Sequence, residues 1–339
     1  MSSLPPLRWF GTADVLASMP PLEERLALAE RTLIALARPG ASELPPKIAL
    51  HPRAAASFVH AMPAHLRGDS VADDLVGMKW VAGYATNNEL GLPSISAVVV
   101  LNDPETGTPI AMLDGGPITA ERTAAVSGVA LRHFGPATGT AAGTTASPPH
   151  VTVIGTGVQG RSHLPVLGAV VPGAALHLFD PHSERAEALA EVARTTPGIA
   201  SVEVHGSARE AVEGADVVVS AASFGAPEDR QSMTNDWLRP GVTVVPIDYA
   251  TYCAAEVARE AALFLVDQRE QYLFNRDAGN FDGYPDPTAT IGEAILAGTR
   301  RPDGRVVLTH LGVGLADLVF ADAIVRTAIA SGRGTTLPR

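Results

Sequence analysis

A chain of 339 residues is long for one domain and leads us to expect two. Its formal charge of -11 at pH 7 argues against nucleic acid or an anionic membrane as partner, and no apolar run approaches bilayer-spanning length. The single cysteine, Cys253, excludes an internal disulfide and a cysteine metal cluster; it reads as a small buried residue, and no metal site is expected. Met1 to Pro20 lacks a basic start followed by an apolar stretch, so the expectation is a soluble cytoplasmic protein.

Taken in chain order, Pro21 to Ala37 carries Leu, Ala, Glu and Arg at helical spacing and stops at Pro39-Gly40, which predicts an amphipathic helix. From Lys47 to Met112 short runs alternate with turns: KIALH, SFVHAM, VGMKWVAGY, SISAVVVLN and TPIAMLD. Asn102 to Gly107 reads as the hairpin turn between the last two, and the region as a mostly antiparallel sheet. Thr119 to Phe134 predicts a helix with Thr119 as its N-cap. Gly135 to His150 is low in complexity and reads as a flexible loop.

Val151 to Gly160, VTVIGTGVQG, is an apolar β-branched run followed by Gly155, Gly157 and Gly160 at the spacing of a dinucleotide-binding turn. The first glycine permits a tight strand-to-helix turn, the second lets backbone approach a pyrophosphate, and the third allows helix to pack on strand. A second run, Ala175 to Phe179, ends in Asp180, placed to accept hydrogen bonds from the adenosine ribose; structurally, Asp180 could merely cap the next helix. A carboxylate there suits NAD, while His182, Ser183 and Arg185 keep NADP open. Strands at Ser201–Val204, Val217–Ser220, Val242–Ile247, Leu263–Val266 and Val306–Leu308 alternate with helices to about Val170 (slightly bent at Pro165), at Ser183–Thr195 and at Ser207–Glu213. This predicts an α/β fold: a Rossmann doubly wound parallel sheet over 129–307, plus an α+β substrate and dimerisation domain. That second domain is expected to combine 1–128 with 308–339, because the apolar helix Gly312–Ser331 should return to it. The run SISAVVVL on an exposed sheet invites burial in a homodimer.

Among 25 basic residues only Lys47 and Lys79 are lysines, which marks both for work arginine cannot do: yielding a proton, or placing a compact charge. The apolar setting of Lys79, LVGMKWVAGY, should lower its pKa by desolvation.

The chain resembles the ornithine cyclodeaminase/μ-crystallin family over nearly its full length. The matching pieces are PPK ending at Lys47, AMPAH at 61–65, GMKW at 77–80, GLPS ending at Ser94, ITAERTAAVS at 118–127, IGTGVQG, WLRPG at 237–241 followed by Asp248, and LGVGLAD at 311–317. The resemblance implies hydride exchange between a nicotinamide and the α-carbon of a small amino or imino acid, as in amino-acid dehydrogenases, ketimine reductases and the diaminopropionate-forming enzymes. It implies that Lys79 and Asp248 are catalytic, that Lys47, Lys79, Arg122, His60 and Leu311 meet the substrate, and that Ser94, Arg122, Thr123, Gly155, Gly157, Val158, Gln159, Asp180, Ala222, Val244, Val245 and His310 meet the cofactor. Chemically the set is coherent: hydride loss needs a neutral amine and hence a base, and a cation fixes the substrate carboxylate.

Departures from the family pattern leave the substrate open. His60 stands where the ornithine-using branch has a glutamate, Tyr249-Ala250-Thr251-Tyr252 replaces the usual Pro-Gly-Lys run, and His310 replaces serine or asparagine. A true ornithine cyclodeaminase and a nicotinamide-dependent binding protein of the μ-crystallin kind remain alternatives. A Ser/His/Asp hydrolase lacks its G-x-S-x-G elbow. Structural readings also stand beside the functional ones: Arg122 paired to Glu121 or Asp114, Asp248 capping the next segment, and His60 a partly buried strand residue.

Overall fold

The structure, a computed structural model, describes residues 4–53, 57–136, 148–223 and 229–339. Much of the expected loop, 137–147, falls outside these. In chain order the elements begin with β1 (Leu7–Phe10), α1 (Thr12–Ala17), α2 (Leu22–Ala37), β2 (Ser42–Glu43), β3 (Ile48–Leu50), β4 (Ser57–Leu66), β5 (Leu75–Tyr84), β6 (Ile95–Asn102), β7 (Pro109–Asp114) and α3 (Gly115–Phe134). There follow β8 (His150–Ile154), α4 (Val158–Val170), β9 (Ala174–Phe179), α5 (Ser183–Ala193), β10 (Ile199–Val204), α6 (Ala208–Val212), β11 (Val217–Ser220), β12 (Thr243–Pro246), α7 (Ala255–Arg259) and β13 (Leu263–Val266). The chain closes with α8 (Arg269–Asp277), β14 (Ala289–Thr290), α9 (Ile291–Leu296), β15 (Val306–Thr309), α10 (Gly314–Ala330) and β16 (Thr335–Leu337). No described helix is long and apolar enough to cross a membrane.

Two compact units result: Met1–Thr123 with Gly312–Arg339, and Ala124–Leu311. The sheet of the first runs β16-β1-β7-β6-β5-β4-β2, with β3 also on β4, and is antiparallel except where β1 meets β7. Alternation along β5 sends Gly77, Lys79, Val81 and Gly83 to the buried face, and Trp80 outward. Helix α10 packs on that sheet at β4, β5 and β6, and on α2. Its residues Gly314 to Ala321 are all buried, as a helix apolar on most faces requires.

Helix α3 begins at Gly115, not at Thr119 as expected. Pro117 sits in its first turn, where a missing N–H leaves nothing unsatisfied, and the Asp114 carboxylate accepts the Gly116 N–H at 2.9 Å. Thr119 is thereby inside the helix.

The second unit is an eight-stranded sheet, β10-β9-β8-β11-β12-β15-β13-β14, with every neighbouring pair parallel. Chain order runs outward from β8 to β10 and resumes on the other side at β11. The strand order therefore reverses between β8 and β11, the place where open α/β sheets bind ligands at the carboxyl ends of their strands. Strand β15 enters the interior of the sheet between β12 and β13, all four residues buried.

Candidate active site

The turn from β8 to α4 is built by glycine where the protein itself demands it. Gly155 has φ +88°, and a Cβ there would meet Ala221 O at 2.6 Å; one on Gly160 would meet Gly155 O at 2.3 Å. Gly157 differs: a Cβ would meet nothing within 4 Å. Nothing in the described protein requires glycine at that place, which leaves the space in front of the α4 N-terminus open to a group from outside. Gly157 is the N-cap of α4 and supplies no side-chain cap, so the first-turn N–H groups are available to an anion.

Asp180, at the end of β9, accepts from the N–H and hydroxyl of Thr156 at 2.9 and 3.0 Å through Oδ2, and from the His182 N–H at 3.0 Å through Oδ1. Partial burial pulls its pKa up, but these hydrogen bonds outweigh that and hold it below the ordinary carboxylate range. It is an anion at neutral pH.

At the carboxyl ends of the central strands, buried polar atoms lack well-formed hydrogen bonds among the described residues: Ser220 Oγ on β11, both carboxylate oxygens of Asp248 past β12, Thr309 Oγ1 on β15, and Gln159 Oε1 on α4. Buried groups of this kind cost free energy unless partnered. Burial pushes Asp248 up to about 7, against a weaker downward pull from Ser220 and from the N–H groups of Ala222 and Thr251, which face it. The turn after it holds Tyr249 and Ala250 at φ +54° and +60°, each a strained conformation for a residue with a Cβ. Thr251 closes that turn by donating its N–H and hydroxyl to Asp248 O at 3.1 and 2.6 Å.

A buried chain fixes His310. His163 Nδ1 lies 2.7 Å from Gln159 O, which can only accept, so Nδ1 carries the hydrogen. Burial pushes His163 down to about 4, leaving it neutral, so its Nε2 accepts from Ser127 Oγ at 2.8 Å. Ser127 Oγ in turn accepts from His310 Nε2 at 2.8 Å, which assigns the hydrogen of His310 to that nitrogen. Neither Ser127 nor His163 was singled out from the sequence.

In the first unit, Lys79 and Arg122 share one carboxylate. Lys79 Nζ lies 2.7 Å from Asp317 Oδ2 and Arg122 Nε 3.0 Å from Asp317 Oδ1, with Thr119 Oγ1 3.3 Å from Lys79 Nζ. All three charged side chains are buried. Desolvation lowers Lys79 to about 7; Asp317 opposes this, while Arg122 and Lys47 add to it. Burial pulls the Asp317 carboxyl up, but Arg122 and Lys79 outweigh it and hold it below its ordinary value. Neither suggested alternative partner engages Arg122: Glu121 pairs with Arg25, and Asp114 accepts from Thr12 and Gly116. Asp317 was missed as a site residue, although an acid within the apolar stretch Gly314 to Ala321 was a readable signal.

His60 is half-buried on β4 and stacks on Phe58 at 4.6 Å between ring centroids. Burial, then the charges of Lys47, Lys79 and His51, push it down to about 4, so it is neutral at pH 7. Thr123 is buried and donates its hydroxyl to Thr119 O at 2.7 Å; Ser94 is half-buried before β6, its O accepting from Tyr84 N. Val158 is exposed in the first turn of α4, and Ala222 is half-buried beyond β11. Leu311 is buried and its N–H donates to Asp267 Oδ2 at 3.0 Å. Val244 and Val245 are wholly buried within β12, paired to Val218 and Val219. Cys253 is buried, and burial pushes its thiol up to about 12.

A parallel sheet with a glycine turn beside its point of reversal, and an antiparallel sheet carrying buried charges, define a two-unit protein of the dinucleotide-binding α/β class. Residues 16–330 match the ornithine cyclodeaminase/mu-crystallin family, and the chain belongs to that family. It is 32% identical to the nodulation efficiency protein NfeD of Rhizobium meliloti over 97% of this chain and 98% of that one. It is 30% identical to the ketimine reductase mu-crystallin of Mus musculus, covering 79% of each chain. Among solved structures, the Thermococcus litoralis Delta(1)-pyrroline-2-carboxylate reductase, in complex with NADH and L-proline, shares the fold with a TM-score of 0.81 at 24% identity, covering 97% of this chain and all of that one.

Removing the shared carboxylate tests the charge arrangement. Asp317→Asn leaves Lys79 and Arg122 buried without a counter-charge and should cost about 3–5 kcal/mol in denaturant unfolding. A loss below about 1 kcal/mol, the range of an exposed pair, would contradict the burial of this cluster.

Proposed function

We propose that this protein is an NAD(H)-dependent oxidoreductase exchanging hydride with the α-carbon of a small L-amino or imino acid. The observation that carries this reading is Asp248: a buried carboxylate without a well-formed hydrogen bond, held on a strained turn at the carboxyl end of β12 and titrating near neutrality. Such a group is poised for proton transfer at working pH. Family membership supports the class of chemistry.

The fit to a dinucleotide rests on the open space at Gly157, the uncapped N-terminus of α4 and the ionised Asp180. Gly155, Gly157, Val158 and Gln159 are assigned to the pyrophosphate and Asp180 to the adenosine ribose, where the Thr156 hydroxyl can turn away and free an acceptor position. Bound NAD supplies an acceptor for the α-hydrogen as hydride. Ser94, Arg122, Thr123, Ala222 and His310 are the further cofactor contacts we assign. The Ser127–His163 chain sets the tautomer of His310 and so its donor and acceptor edges.

Lys79 and Arg122 bring two cationic side chains against one buried carboxylate, Asp317, an arrangement suited to the substrate carboxylate, to which we also assign Lys47. Asp248 and Lys79 are assigned the proton handling. In the oxidative direction the substrate ammonium loses a proton to one of these groups and the α-carbon can then release hydride; in the reductive direction the steps reverse. The ionised Asp248 also stabilises the positive charge that develops on the nitrogen. Neutral His60, with Leu311, offers no counter-charge for a distal ammonium, so we infer a substrate without one, which disfavours ornithine.

Catalysis should depend on both titrating groups. Oxidation by NAD should rise as pH increases through about 7, where Asp248 ionises and Lys79 becomes neutral. Lys79→Arg and Asp248→Asn should each lower kcat by about 10²–10⁴-fold while leaving NAD affinity near wild type. Wild-type rates in either variant would overturn the mechanism and favour a binding protein.

Cofactor choice tests Asp180 separately. The wild type should bind NAD more tightly than NADP, and Asp180→Ala should narrow that preference by about 1.5–3 kcal/mol. Tighter binding of NADP by the wild type would refute the role of this carboxylate.

We also infer a homodimer through the outward face of the first sheet, where Ile48, Leu50 and Trp80 are exposed apolar residues. Light scattering at micromolar concentration should give twice the chain mass, and Trp80→Glu should weaken the dimer. A monomeric wild type would contradict it.

A further inference from the structure

Three metal-ligating side chains of the second unit share one face of the β9–β10 pair, outside the residues assigned above. Strand register sets this arrangement. Glu203 stands directly opposite His177, and His205 follows two residues on, which returns it to the same face. Its N–H donates to Leu178 O at 2.9 Å, so the ladder still holds the backbone at that position. His177 Nδ1 lies 2.7 Å from His205 Nε2 and 4.0 Å from Glu203 Oε2, and one ligand atom from each residue lies within 4.8 Å of the others. His150 of β8 stacks on His177 with ring centroids 3.6 Å apart, and its own Nε2 lies 3.1 Å from Ala211 O. The His177 ring is therefore held from behind, while the Glu203 side chain is 66% exposed.

We propose that His177, Glu203 and His205 form a surface site for a divalent transition cation of the zinc type, with water completing the coordination. Tetrahedral zinc with bonds of about 2.0–2.2 Å places its ligand atoms roughly 3.3 Å apart, and the separations of 2.7 and 4.0 Å bracket that value. The two ring nitrogens face each other along the 5.0 Å line between the ring centroids, so binding requires the rings to swing until both lone pairs turn towards the cation, and the exposed carboxylate to close. In the free protein one imidazole N–H donates to the other ring; binding moves that hydrogen to the opposite nitrogen of its own ring, so two neutral imidazoles ligate and no proton leaves. Two nitrogens and one carboxylate favour zinc, copper or nickel over magnesium and calcium, which select oxygen. A plain hydrogen-bonded histidine pair is the competing account, and it predicts no cation dependence.

The test is calorimetry of the untagged full chain with zinc chloride, alongside the visible absorption of added cobalt(II). The expected result is one equivalent of zinc bound, a tetrahedral cobalt band, and no competition from magnesium or calcium. His205→Gln and Glu203→Gln, with circular dichroism showing the fold kept, should each weaken zinc binding at least about tenfold. Absence of zinc binding in the wild type, or unchanged stoichiometry and affinity in His205→Gln, would overturn the site. NAD binding is read in the same samples, so failure here is distinguishable from failure of the oxidoreductase reading.

Discussion

A charge moved from water into an apolar interior costs several kcal/mol unless a counter-charge and hydrogen bonds offset it. In the first unit that cost falls on Lys79, Arg122 and Asp317, buried where β5 and α3 meet α10. Two cations against one anion is not what stability alone would select, since an apolar trio of similar volume would pack there at lower cost. The excess positive charge is what leads us to assign an anionic ligand to this cluster in the proposed function. The regular features of this unit, from the β5 alternation to the apolar run of α10, serve to hold these groups dry.

The same physical cause acts with opposite sign in the second unit. Desolvation raises the Asp248 carboxyl to about 7 and lowers the Lys79 ammonium to about 7, so an acid and a base of very different intrinsic strength titrate together. The linkage follows from the direction of each shift. Asp248, raised in the fold, contributes a stability that is lost as pH rises from the ordinary carboxylate value through about 7. Lys79, lowered in the fold, costs stability while the unfolded chain holds its proton more tightly, and that cost is relieved as pH rises from about 7 towards its ordinary value. The proposed function assigns both groups to proton transfer, where a pKa near neutrality is useful.

Much of this was legible in the sequence, for identifiable reasons. The parallel sheet announced itself because its strands are short β-branched runs between helical segments, and GTGVQG fixed where the chain turns. Lys79 stood out because lysine is rare here and its neighbours are apolar. The start of α3 was misread because Gly115-Gly116-Pro117 resembles a turn, while Asp114 does the capping. Helix α9 was overlooked although Thr290 and Glu293 form a capping box at its start. Asp317, Ser127 and His163 were not readable as partners because their contacts span 195, 183 and 36 residues of sequence, and no local pattern encodes a pairing at such distance. The cluster of His177, Glu203 and His205 depends likewise on a strand register that only the folded sheet reveals.

The most direct measurement follows the transferred hydrogen. NADH carrying deuterium at C4 of the nicotinamide, prepared in each stereoisomer, is incubated with a panel of cyclic and linear α-imino acids, and the products are read by mass spectrometry and NMR. The account predicts deuterium on the α-carbon of an L-amino acid, delivered from one face of the nicotinamide only. Binding of NADH without transfer to any member of the panel, or its oxidation without label reaching the α-carbon, would contradict it.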